Sequence, residues 1–248
     1  MNMMETTGSQ RRAARWVGAA YLTALPPALF SGIYVPLQVM VAGDAAATAQ
    51  NMLVHERLFR LGVASDLLAF LVDIVLIAAL YTALKPVNRH LALFATLVRL
   101  VETSLFVVAS VSSLDALRFL SGADYLKPFP QDQLNAFVRL SIGAHGTAYS
   151  AGLIFAGVGS TVFCYLWLVS RTVPKWLAYL GIVASALLAA ITGAFIVVPE
   201  LTKTFPVAIY GGPIFVFELT MGLWLATKGI PAGATEPQGF RAPADAGK

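Results

Sequence analysis

Four ionisable side chains, Asp73, Arg99, Glu102 and Glu218, lie inside otherwise apolar stretches of the sequence. An unpaired charge in the middle of a bilayer costs ~2.5–3.5 kcal/mol even on the gentler insertion scale, so each needs a partner or a task. Asp73 precedes Lys85 by twelve residues, about 18 Å of helical rise. Arg99 and Glu102 follow Arg89 by ten and thirteen residues, and Glu218 precedes Lys228 by ten, which gives depths of roughly 15–20 Å. A hydrocarbon core ~30 Å thick places all four near its middle. One arginine faces three carboxylates, so two acids are left to be protonated or to meet a cationic ligand or proton. A charged contact that only fixes helix packing explains Arg99 with Glu102, but surplus acids add cost without improving packing.

Spacing groups further residues with these. Arg99 and Glu102 are i,i+3 and share a helix face, continued by Thr103, Phe106, Ser110 and Ser113. Asp66 and Asp73 are i,i+7 on the preceding span, with Asp66 nearer the opposite membrane face. His145, Tyr149 one turn below it, Arg60 and Asp66 form a candidate outer layer, and Asp115 falls at a comparable height. A lone histidine at a helix end is also accounted for by ordinary interfacial hydrogen bonding. Ala148, Gly152, Ala156 and Ser160 recur at i+4 steps and read as a ridge for close helix packing.

Several chemistries are excluded. The single cysteine, Cys164, permits no internal disulfide and no cysteine-based metal or cluster site. There is no phosphate-binding glycine loop and no His-Glu-x-x-His. Only three histidines occur, His55, His90 and His145, too few at the right depth for a two-histidine haem or a serine–histidine hydrolase. No metal or cofactor is expected.

The elements that must position these residues are transmembrane helices. The 248 residues are 58% hydrophobic and 12% charged, with mean hydropathy +0.73; a soluble domain carries about a quarter charged residues. Spans are read at Trp16–Val41, Leu61–Leu84, Leu91–Leu117, Gly146–Val169, Trp176–Val198 and Val207–Thr227. Pro26, Pro27 and Pro36 should kink the first. Asp44 is placed to cap a short interfacial helix, Ala45–Phe59. A helix restarting near Gln131 should run into the fourth span, unless residues 131–145 dip into the membrane as a seventh element. The expected fold is all-α, a polytopic bundle of six transmembrane helices with one interfacial helix. Residues 1–12 are expected to be disordered and cytoplasmic, 13–230 to form the membrane domain, and 231–248 to be a disordered cytoplasmic tail.

The net charge of +4 follows the topology rather than a nucleic-acid partner. Arg11, Arg12, Arg15, Lys85, Arg89, Arg171, Lys175 and Lys228 fall on one face. Asp44, Glu56, Asp124, Asp132 and Glu200 mark the other. The positive-inside rule makes the basic face cytoplasmic, and an even number of spans returns both termini to it.

The stretch from "GDAAATAQNML" through "LFRLGVASDLLAFLVDIVLIAALYTALKPVNRHLALFATLVRLVE" resembles a bacterial multi-pass membrane family catalogued as domain of unknown function 4386. The resemblance continues in His145-Gly146, in Arg171 with Pro174-Lys175, and in Glu218 before Lys228-Gly229, and it covers roughly residues 13–230. It implies a bacterial inner-membrane location and directs attention to Arg60, Asp66, Asp73, Lys85, Arg99, Glu102, His145 and Glu218. It implies no activity, substrate or cofactor.

Three functions remain open. A small carrier, proton-coupled or moving a cationic or lipophilic solute, needs carboxylates at the midplane; so few spans without an internal repeat would call for a homodimer. A metal-free intramembrane lipid or isoprenoid enzyme would use Glu102 or Glu218 as acid and Asp73 as base, with Arg99 separating their pKa values. A non-catalytic helper or regulatory protein would use the charges for packing or partner contact. The bilayer and a small molecule are the expected partners.

Overall fold

The structure is a computed structural model that describes residues 3–230, with side chains from residue 8 onward. In chain order α1 (Met3–Leu29) runs through a π-helical turn (Phe30–Tyr34) into α2 (Val35–Val39). It is followed by α3 (Ala45–Val54), α4 (Glu56–Leu84), α5 (Arg89–Phe119), a short 3-10 turn (Asp124–Leu126), α6 (Gln131–Ser170), α7 (Lys175–Val197), α8 (Leu201–Thr204) and α9 (Val207–Thr227). No strand occurs among the described residues.

Five stretches are long and apolar enough to cross a membrane: Gly8–Val39, Glu56–Leu84, Arg89–Phe119, Gln131–Ser170 and Lys175–Val197. The last helix contributes a shorter apolar stretch, Gly212–Thr227, with Pro213 near its start. Leucines and valines such as Leu71, Val75, Leu97, Val108 and Val183 point outward. Helices that bury polar groups inward and expose leucine and valine outward are those of a membrane-embedded protein.

Local chemistry explains the helix ends. Asp44 is extended and its Oδ1 accepts from the Ala47 amide at 2.9 Å, while Asn88 accepts from the Leu91 amide at 3.0 Å to start α5. Gly229, at φ 63° just beyond α9, closes it in the left-handed conformation that glycine adopts without strain. Pro26 and Pro27 lie within α1. The wider π turn follows them and precedes Pro36, whose missing N–H falls in the first turn of α2.

Two boundaries differ from expectation. Residues 3–12 are helical rather than loose, because tertiary contacts hold this polar start: the Gln10 side chain donates to the Ala83 carbonyl at 3.3 Å, and Ala13 and Ala14 are buried. Residues 1–2 and the tail, 231–248, lie outside the described residues. The helix expected at the interface stops at Val54, since His55 leaves helical geometry (φ −108°, ψ 31°), and Glu56–Phe59 belong to α4. Residues 131–145 are the continuous beginning of α6, whose forty residues extend to about 60 Å, well beyond one hydrocarbon thickness.

Packing closes a ring. α1 lies against α4 and α9, α4 against α5, α5 against α6, α6 against α7, and α7 against α9. Glycines set the closest approaches. A Cβ on Gly18 would lie 2.6 Å from the Ala226 amide nitrogen, and one on Gly157 2.5 Å from the Ser185 carbonyl. At the end of the ring bearing Arg15, Lys85 and Lys228 the interior is solid, filled by Val17, Leu80, Leu84, Phe163, Trp167, Leu177, Met221 and Leu225.

Candidate functional site

Above that solid end the ring holds a partly open cavity of about 290 Å³, and Asp73, Arg99, Glu102 and Glu218 all line it. They arrive from α4, α5 and α9. The common depth expected from helical rise is therefore joined by a common inward direction. Leu76 belongs both to the cavity wall and to the packed core, so the charges sit where the core ends.

Arg99 organises the group. Its Nη2 donates to Asp73 Oδ1 at 2.5 Å, its Nη1 donates to Ser160 Oγ at 3.2 Å, and its Nε lies 3.0 Å from Glu102 Oε2. The last is a charge contact without hydrogen-bond alignment, since neither atom has a hydrogen-bond partner. The other Asp73 oxygen accepts from Thr103 Oγ1 at 3.1 Å. One guanidinium thus spans α4, α5 and α6, and both Asp73 oxygens are committed. Among the described residues Glu218 makes no ion pair and no side-chain hydrogen bond; it faces the cavity without a cation.

Small residues make room for the arginine. A Cβ on Gly159 would meet Arg99 Cγ at 2.7 Å, and one on Gly152 the Phe106 ring at 2.5 Å. The α6 ridge of Ala148, Gly152, Ala156 and Ser160 is therefore more than packing, because Ser160 is also a ligand of Arg99. Two cavity residues escaped the sequence reading, Tyr21 of α1 and Tyr210 of α9. Each is an aromatic hydroxyl in an apolar span, a signal shared by many interfacial tyrosines.

The candidate outer layer divides. Asp66, His145 and Tyr149 line a second cavity of about 320 Å³ together with Ser31, Ser113 and Met40. His145 Nδ1 is 3.0 Å from the Ala109 carbonyl and 2.9 Å from Ser113 Oγ. Only an Nδ1–H can serve the carbonyl, so Nδ1 carries a proton and Ser113 accepts from it or lies beside it. Arg60 does not join: it is exposed and pairs along its own helix with Glu56 at 2.7 Å. Asp115 likewise pairs outward with Arg118 at 3.0 Å. Each finds an oppositely charged neighbour four or three residues away on its own helix.

The two cavities share Tyr149 and Val207. A file of rings follows the shared wall. Phe70 and Phe106 are 5.4 Å apart between centroids, Phe106 and Tyr149 are stacked at 4.5 Å, and Tyr149 and His145 are stacked at 5.8 Å. A third cavity, about 550 Å³, adjoins the second at Gly32, Pro36, Met40 and Ile142 and is bordered by Ile33, Leu37 and Arg139.

No curated protein and no solved structure matches the chain. One family profile does, over residues 16–229. That match takes in α2 to α9 and every residue of both cavities, and by it the chain belongs to the family described as Domain of unknown function (DUF4386).

Proposed function

We propose that this protein is a six-span carrier of the bacterial inner membrane, with both termini cytoplasmic, that binds a small cationic or lipophilic solute at the midplane and couples its passage to protons. The carrying observation is Glu218, a carboxyl group facing a partly open cavity whose one cation among the described residues, Arg99, is already held by Asp73 and lies against Glu102. A partly buried carboxyl left without a cation favours a proton or a cationic guest. The short apolar helix α9 supports a sixth span, since it packs against α1 and α7 and completes the ring. The clustering of Arg11, Arg12, Arg15, Lys85, Arg171 and Lys228 on one face supports the orientation. The intramembrane-enzyme reading is weakened by the state of Asp73, because a carboxylate with both oxygens bonded is a poor base.

The test is proton flux in everted vesicles reported by a pH-sensitive dye during addition of a panel of lipophilic amines. Wild type should give an amine-dependent signal that Glu218→Gln lowers at least tenfold. No amine-dependent flux in wild type, or equal flux in the variant, would reject the carrier.

A further inference from the structure

The central cavity has the second cavity as its neighbour. Tyr149 and Val207 separate it from the second cavity, and the ring file from Phe70 to His145 runs along both. The second cavity carries its own acid, Asp66. Among the described residues Asp66 has no ion pair. Arg60 is turned to Glu56, and His145, which lines the same cavity, donates from Nδ1 to the Ala109 carbonyl and makes no ion pair. Asp66 therefore repeats the condition of Glu218, an acid facing a cavity without a cation. Seven residues of α4 separate Asp66 from Asp73 in the central wall, about 10.5 Å of rise. The wall that the two cavities share is Tyr149 and Val207, with Phe106 of the central cavity stacked on Tyr149, a surface suited to a hydrocarbon chain and, at the ring faces, to a cation.

We propose that the two cavities form one elongated site for a linear molecule with an ammonium group at each end, one held at Glu218 and the other at Asp66, its hydrocarbon middle lying along Tyr149. This rests on the carrier reading for its first ammonium and adds the second. Asp66 is then a binding residue, and Tyr149 is the wall over which the chain passes.

The test is isothermal titration of the full chain in nanodiscs with two probe series, n-alkylamines and α,ω-diaminoalkanes from diaminobutane to diaminododecane. Linking two binding ends raises apparent affinity only when the linker spans both sites, so diamine affinity should peak at one chain length, on the order of tenfold or more above the alkylamine of equal length. Asp66→Asn should remove that excess, so that each diamine binds no more tightly than the alkylamine of equal length. Asp66→Glu, which keeps the charge on a longer arm, should restore the excess with the optimum moved to a shorter diamine; this separates a binding role from a folding role. Diamines no tighter than alkylamines at any length, with alkylamine binding still lowered by Glu218→Gln, would overturn the two-ended site and leave the cationic guest intact. Amine binding indifferent to Glu218→Gln would overturn both.

Discussion

The two ends of the helix ring are built on opposite terms. At the basic end α1 and α9 touch backbone to backbone through Gly18, and Leu80, Leu84, Trp167, Leu177 and Leu225 leave no space among them. At the other end the chain of α1 passes through two prolines and a π turn, and there the interior holds adjoining cavities. In lipid, helix association comes from van der Waals packing and polar contacts rather than hydrophobic burial. The dense end therefore supplies cohesion, and the open end is free to leave polar groups facing space. Arg99 stands at the boundary and belongs to both.

That contrast is open to direct tests. The largest effect should come from the boundary itself. Arg99→Met removes the cation that Asp73 and Glu102 share, and breaking a buried pair by deleting one partner costs ~3–5 kcal/mol. A large fall in the thermal midpoint of purified protein in nanodiscs is expected, with faster labelling of the buried Cys164 thiol. A midpoint within experimental error of wild type would mean that the cluster does not hold the ring.

A smaller effect separates the ends. Gly18→Ala places a Cβ 2.6 Å from the Ala226 backbone nitrogen, whereas at Gly143 of α6 a Cβ meets nothing within 4 Å. Overpacking costs ~1–3 kcal/mol, and replacing an exposed helical glycine by alanine gains ~0.5–1 kcal/mol. Thermal midpoints should fall for the first variant and hold or rise for the second; equal shifts would erase the distinction between the ends.

The smallest effects belong to charges outside the dense region. Arg60→Ala breaks an exposed i,i+4 pair, and such pairs contribute about 0.3–0.5 kcal/mol. Its midpoint should move least of all, and a drop approaching that of Arg99→Met would show that Arg60 turns inward after all.

Much of the site was legible because depth in a membrane is one-dimensional. Helical rise counted from Lys85, Arg89 and Lys228 was enough to bring Asp73, Arg99, Glu102 and Glu218 to one level. Asp44 could be read as a cap because capping depends only on the next few residues. What the count could not supply was azimuth. Arg60 and Asp66 lie at similar heights, yet one pairs outward with Glu56 and the other faces a cavity. Ser160 looked like a spacer and is an arginine ligand, and Tyr21 and Tyr210 gave no periodic signal. Nor could residues 3–12 be read as helix, since Gln10 is held by a carbonyl seventy-three residues away.

Sequence alone determined that the chain is helical and membrane-embedded and that charge gathers at one depth, because burying ionisable groups in lipid is costly enough to leave a mark in composition and spacing. Tertiary structure alone decided that those charges face a shared cavity, that Arg99 engages Asp73 and Glu102 while leaving Glu218 without a cation, and that Tyr149 stands in the wall of both that cavity and a second. Such facts depend on how helices rotate and approach one another, and that is set by glycines meeting side chains on neighbouring helices rather than by any local pattern.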